Sequence, residues 1–340
     1  MRLFFTRVAL ALVVAATAYA QSQAGTITFG SGGNTFNMEF VTIGNPGNAA
    51  DTDANAQPLN AGAVGYSYDI GKFEVSEDMI EKYNANFGTA NSLAITKDTR
   101  GTAKPATSVS WNEAARFVNW LNTSTGNQAA YKFTTNGVND NIALWTSGDA
   151  GYDVNNKYRN SLAKYVLPSY NEWYKAAYYD PNKSGVGIGG YWDYATGSDS
   201  APTAVASGTG TGANGNNEAV YGGQTGPADV TQAGGFSPYG VMGLGGNVAE
   251  WEESSGDLAN SSVSTARGIR GGSWLTGTGQ GLSSSARNTD WLPSEANLNF
   301  GFRVASLSSS APPAVPEPSM MVIGTLFGLE GLVAKRRMKK

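Results

Sequence analysis

This 340-residue sequence predicts an α+β fold that is loop-rich, with short strands and a few helices. Three observations carry that prediction. Two stretches place Ser three residues ahead of Glu at the start of an apolar helical rhythm, the pattern of a capped helix. Phe36, Met38 and Phe40 alternate with polar residues, as a half-buried strand does. The 44 glycines, against only 15% charged residues, point to a chain dense in turns.

Taken in order, Met1 to Ala20 carries Arg2 and Arg7, an apolar run from Val8 to Ala16, and Ala18-Tyr19-Ala20. This reads as a signal peptide cut before Gln21. The apolar run falls short of the roughly 20 residues that a spanning helix needs. Residues 21–35 are rich in Gly and Ser and are expected to be flexible. A strand opens at Phe36 and continues through Val41 and Ile43. Gly44 to Pro58 is a loop, and Val64 to Val75 reads as a second strand or hairpin. Ser76 can cap a helix with Met79, Ile80 and Tyr83 on one face. Ser110 and Glu113 form a capping box ahead of Ala114, Phe117, Val118 and Leu121, and Ser169 with Glu172 repeats the device before Pro181 stops the helix. Beyond Asp180 the chain predicts short strands and long Gly/Asn loops, with Gly197 to Gly215 as a surface insertion. The glycines of Gly185 to Gly190 lack the Lys-Ser/Thr of a phosphate loop and read as a plain turn.

Composition excludes several chemistries. The chain has no histidine and no cysteine, which removes imidazole acid–base catalysis, thiolate nucleophiles, disulfides, and most zinc, copper and iron sites. A net charge of −4 and a pI near 5.0 provide no basic footprint for nucleic acid.

Five segments then align in order: SVSWNEAARFVNWLN from Ser108, LPSYNEWYKAA from Leu167, PYGVMGLGGNVAEW from Pro238, RGIRGGSW from Arg267, and RNTDWLPSEANLNFGFR from Arg287. Together they resemble the formylglycine-generating enzyme (sulfatase-modifying factor) family over residues 36–305. The resemblance implies a compact variant of the C-type-lectin-like fold with twisted antiparallel strands. Enzymes of that family oxidise a sulfatase cysteine with a copper-binding pair of cysteines just after the GGS motif. Here that place reads LTGTGQGLSSSAR, with Thr276 near the first cysteine position and no match for the second. No copper site is expected. The leading expectation is a non-catalytic, exported binding or matrix-associated domain that takes a peptide or glycan ligand. The alternatives are an enzyme of the same family and a structural surface protein without a specific ligand.

The resemblance also implies a calcium loop, with carbonyls at Gly246 and Val248 and the carboxylate of Glu250, oxygen donors that suit this hard cation. The family's Asn ligand falls on Gly243, which has no side chain to offer. The competing reading has Asn247 and Glu250 bracing a tight turn beside Trp251. The family's substrate groove implies Ser273, Trp274, Arg287 and Asn288 as ligand-binding residues here, although Arg287 and Arg303 can equally pair with internal carboxylates. Trp111, Trp173 and Trp251 are expected in the core, while Trp192, Tyr194, Trp274 and Trp291 lie in or beside loops where rings can stack on sugars or peptides. Glu250, Glu252, Glu253 and Asp257 sit too close in sequence for a glycosidase pair and read as a solvated acidic rim.

At the far end, a Ser/Pro linker at 306–315 leads to Pro316-Glu317-Pro318, an apolar segment at 320–334 and a basic tail. Residues 316–340 resemble the PEP-CTERM sorting signal of exported bacterial proteins, which implies an exosortase-type processing partner, at least transient membrane contact and a cell-surface or matrix location. The basic cluster fits a cytoplasmic stop. Glu330 makes the apolar segment a poor permanent anchor.

Overall fold

The computed structural model describes residues 25–205 and 217–307. The expected signal peptide, the linker beyond Leu307, the sorting signal with Pro316, Glu317 and Pro318, and most of the Gly197–Gly215 insertion lie outside these residues.

Strand β1 (Thr26–Phe29) pairs antiparallel with β2 (Phe36–Ile43), Thr26 facing Glu39 and Phe29 facing Phe36. Residues 26–29 of the segment expected to be flexible are thus a strand. The flanking glycines suggested a loose chain, but Ile27 and Phe29 alternate with threonines, and Phe29 is buried against Phe36 and Tyr165. Along β2, Phe36, Met38 and Phe40 turn inward while Asn37 and Glu39 face water, as their alternation requires.

Strand β3 (Tyr68–Gly71) leads into α1 (Glu77–Tyr83), where the Ser76 hydroxyl accepts from Met79 N at 3.4 Å. Helix α2 (Trp111–Ser124) starts in a complete capping box formed by Ser110 and Glu113. It buries Trp111, Ala114, Phe117, Val118 and Leu121. Near its end, buried Asn122 donates to Tyr165 O at 2.7 Å and accepts from Tyr165 N at 2.9 Å, which ties the helix to β4 (Tyr165–Val166). Helix α3 (Tyr170–Tyr178) repeats the capping box with Ser169 and Glu172 and ends ahead of Pro181.

After α3 the chain forms β5 (Tyr179–Asp180) and β6 (Gly190–Tyr191), which pair around the Gly185–Gly190 turn. Next come β7 (Thr203–Ala204), β8 (Glu218–Ala219), β9 (Ala249–Ser255), β10 (Arg267–Arg270), β11 (Asn288–Trp291), β12 (Phe300–Gly301) and β13 (Ala305–Leu307). One sheet runs β1-β2-β3-β13-β4 and a second runs β11-β10-β9-β12. Most pairings are antiparallel, as the fold class implies, but β12 joins β9 in parallel and β7 joins β8 in parallel. Strand β13 extends the body two residues past the expected boundary at 305, with Ser306 facing Asp69 and Leu307 facing Tyr68. Trp111, Trp173 and Trp251 are fully buried.

Candidate functional site

Strand β9 reads AEWEESS, and every one of its residues is buried. The solvated rim expected for its glutamates is therefore overturned: Glu250, Glu252 and Glu253 are 0% exposed, and only Asp257 faces water. A carboxylate taken out of water needs a paired charge and hydrogen bonds. Here arginines distant in sequence supply both. Arg303 clamps Glu250, with Nε at 2.6 Å and Nη2 on the second oxygen, and Trp173 Nε1 adds a bond at 2.7 Å. Arg270 and Arg287 share Glu252, their Nε atoms 2.6 and 2.9 Å from its two oxygens. Arg159 bridges Glu253 at 2.7 Å and grips Glu172 of α3 with two bonds at 2.9 and 2.8 Å.

The two carboxylates on Arg159 respond differently. Burial opposes ionisation of Glu172, but the two-pronged contact with Arg159 outweighs it and holds the group down to about 2. Glu253 receives a single prong, and burial lifts it above the usual carboxylate range. Arg267 has no carboxylate partner among the described residues. Its guanidinium lies between Trp111 at 4.4 Å and Tyr158 at 4.2 Å, and burial lowers it to about 10.

The turn preceding β9 shows how far these residues fit a calcium ion. Gly243 has φ of 78°, and a Cβ there would lie 2.6 Å from Glu74 Oε1, so the Glu74 carboxyl fills the space of the missing side chain. Asn247, at φ of 59°, donates to Glu74 Oε1 at 2.9 Å and accepts from Ala228 N at 2.8 Å. Gly246 donates its N–H to Gly271 O, and a Cβ on it would meet Val220 O at 2.6 Å. Val248 is buried beside Val220 and Trp274. Both oxygens of Glu250 are already held by Arg303, and a guanidinium at that distance repels a second cation. The carboxylate of the implied calcium set is thus committed to Arg303, and Asn247 with Glu74 forms a hydrogen-bonded brace. Among the described residues, no group of three or more acidic side chains could hold a metal ion. Glu74 is almost fully buried, and its Oε2 has no hydrogen-bond partner. Burial, only partly offset by Arg303, raises it to about 8.

The GGS loop is equally closed. Ser273 is 1% exposed, and its hydroxyl accepts from Asn299 Nδ2 at 2.8 Å. Trp274 is 2% exposed, packs on Val220 and Val248, and carries the Arg100 guanidinium 4.9 Å from its ring. Its backbone N–H donates to Asn247 O at 2.9 Å, which fastens the GGS loop to the brace. Arg287 is turned in to Glu252, with further bonds to the carbonyls of Gly256 and Ser255. Of the four expected groove residues only Asn288, at the start of β11, is exposed. Thr276 lies half-buried where its hydroxyl accepts from Ser273 N at 2.8 Å. Among the loop aromatics, Trp192 is half-buried under Lys183 at 4.3 Å, Trp291 packs edge-on against Phe300 at 4.8 Å, and Tyr194 is half-buried. Sequence reasoning missed Arg159, Arg270 and Glu74. The available signal was three glutamates on one strand, which had to find bases elsewhere.

Comparison with known proteins bears on the frame and not on the ligand. The profile of the sulfatase-modifying factor enzyme 1-like domain matches residues 18–307. No curated protein matches the sequence. Among solved structures, Treponema denticola variable protein 1 is similar at 20% identity and a TM-score of 0.53, over 83% of this chain and 98% of that one. CarF is similar at 22% identity and a TM-score of 0.52, over 80% and 98%. PvdO from Pseudomonas aeruginosa aligns at 17% identity and a TM-score of 0.47, over 85% and 100%. The first two likenesses carry the fold, and the family match spans well over half of the sequence. The chain belongs to the sulfatase-modifying factor enzyme 1-like domain family.

Proposed function

We propose that this protein is an exported, non-catalytic binding module on the family's scaffold. The observation that carries the reading is Thr276. It occupies the neighbourhood of the first catalytic cysteine, and the chain contains no cysteine or histidine to replace it. A hydroxyl is a hard, weak donor and cannot hold a soft copper ion as a thiolate pair does. The bond from Ser273 N to the Thr276 hydroxyl supports a structural role for that position.

The sequence at both ends supports export and sorting: a signal peptide at 1–20 and a Pro316-Glu317-Pro318 tail, with an exosortase-type enzyme as partner and the cell surface or matrix as destination. Burial of Ser273, Trp274 and Arg287 supports a ligand site elsewhere than the family groove.

The test is incubation of the full chain with a cysteine-containing sulfatase-type peptide, with and without copper, followed by mass spectrometry. The expected result is no aldehyde product above a boiled control. Turnover above that control would return the protein to the enzymes of its family.

A further inference from the structure

A cleft of about 340 Å³ opens along one stripe of α2, at Arg116, Trp120 and Thr123, and contains no residue of the GGS loop. That volume sits at the small end of ligand sites, about 300–1,000 Å³. Its far wall is Lys132, Phe133 and Trp145. The wall is built into the fold: Asn119 donates to Tyr131 O at 2.7 Å and accepts from Tyr131 N at 2.9 Å, and Trp145 Nε1 donates to Ala130 O at 3.0 Å.

Both charged groups in the lining are cationic, in a chain whose formal charge is −4. Arg116 is held by Val138 O at 3.0 Å, Thr135 O at 2.9 Å and Gly137 O at 2.7 Å, and its guanidinium lies 3.9 Å from the centre of the Phe133 ring. Carbonyls orient that charge without neutralising it, since Arg116 has no ion pair among the described residues and Asp140 interacts only at longer range. Lys132 is 5.6 Å from the Trp145 ring and paired with Asp149 at the half-exposed edge. The cleft therefore presents aromatic surface, one cation fixed by carbonyls and, at its edge, a second cation that Asp149 already partners.

We propose that this cleft binds a uronate residue of an acidic polysaccharide, which gives the binding reading above its ligand class and rests on it. A cleft open along one side leaves part of its ligand exposed to solvent, so the ligand needs an apolar side and a wet side. A pyranose ring has both: its C–H face lies on aromatic rings while its hydroxyl edge remains solvated. A uronate adds a carboxylate for Arg116 Nη1, a charge-assisted contact, with Lys132 near enough to share it alongside Asp149. Acyl chains and simple aromatic acids lack the wet edge, and neutral sugars lack the charge.

Binding to the full chain would be measured by calorimetry and tryptophan fluorescence. The probes are tetramers of galacturonate and of mannuronate, with maltotetraose and tetraglutamate as controls. At least one uronate tetramer should bind, more weakly as salt is added, and K132Q should weaken it about tenfold. T123W, which fills the cleft from an exposed helix position, should abolish binding with the melting temperature unchanged. If T123W lowers that temperature, K132Q decides. No uronate binding, equal binding of either control, or binding indifferent to K132Q or to a folded T123W overturns the proposal. Peptide oxidation would instead sink the non-catalytic reading and leave the cleft result standing.

Discussion

Glu74 retains its proton through neutral pH because it sits in the protein interior with one oxygen unbonded, next to the already paired Glu250. Its native value is about 8, against about 4.5 for the free side chain. Between those values the native state binds the proton and the unfolded state does not, so stability falls as pH rises. The slope contributed by one such group is at most about 1.4 kcal/mol per pH unit. Denaturant midpoints should therefore drop from pH 5 to pH 9 in the native sequence. The Glu74→Gln variant, which is neutral throughout, should lose this component. A variant whose pH profile parallels the parent's would mean that Glu74 does not carry that proton. Glu172 has the opposite sign. Its depressed value stabilises the fold above about 4.5, and that contribution disappears as pH falls through about 2.

Among the elements, β9 and the turn before it carry the clearest expectations. Removing one partner of a buried pair leaves an uncompensated charge, so Arg303→Met should cost about 3–5 kcal/mol by urea unfolding. Adding Glu250→Gln should recover part of that loss, because the stranded charge is gone; a double variant no more stable than Arg303→Met would contradict this account. Since Arg303 already holds both Glu250 oxygens, the melting temperature should respond to neither calcium nor a chelator. A rise with calcium that Glu250→Gln abolishes would restore the metal reading. The same elements show what sequence can disclose. Helices α2 and α3 were legible because their signals are local, Ser110 with Glu113 and Ser169 with Glu172 closing capping boxes within one turn. Strand β9 was misread as a rim because its burial depends on Arg159, Arg270, Arg287 and Arg303, whose convergence no local pattern reports. The cleft along α2 is not legible in the sequence for the same reason, since Arg116 and Trp145 come to line one cleft only in the folded chain.

For the whole molecule, the family frame was legible from five ordered segments, and the missing thiolates from composition alone. The inward turn of Ser273, Trp274 and Arg287 was not, because a motif records residue order and leaves open which side of a loop faces water. In a host that carries an exosortase-type enzyme, intact-mass analysis should find a mature C-terminus within Pro316 to Ser319. Protein recovered from that host still ending at Lys340 would show the tail to be an ordinary anchor.

Strand β13 lies between β3 and β4, pairing with Ile70 on one side and Val166 on the other through the same residue, Ala305. A ribosome delivers the chain from its beginning, so an interior strand of this sheet is the last of its strands to emerge. Until Ala305 to Leu307 arrives, β3 and β4 each expose an open edge, and Glu250 waits without Arg303. The sheet is therefore completed only when nearly the whole length of the body is available, because its last strand in sequence is an interior one.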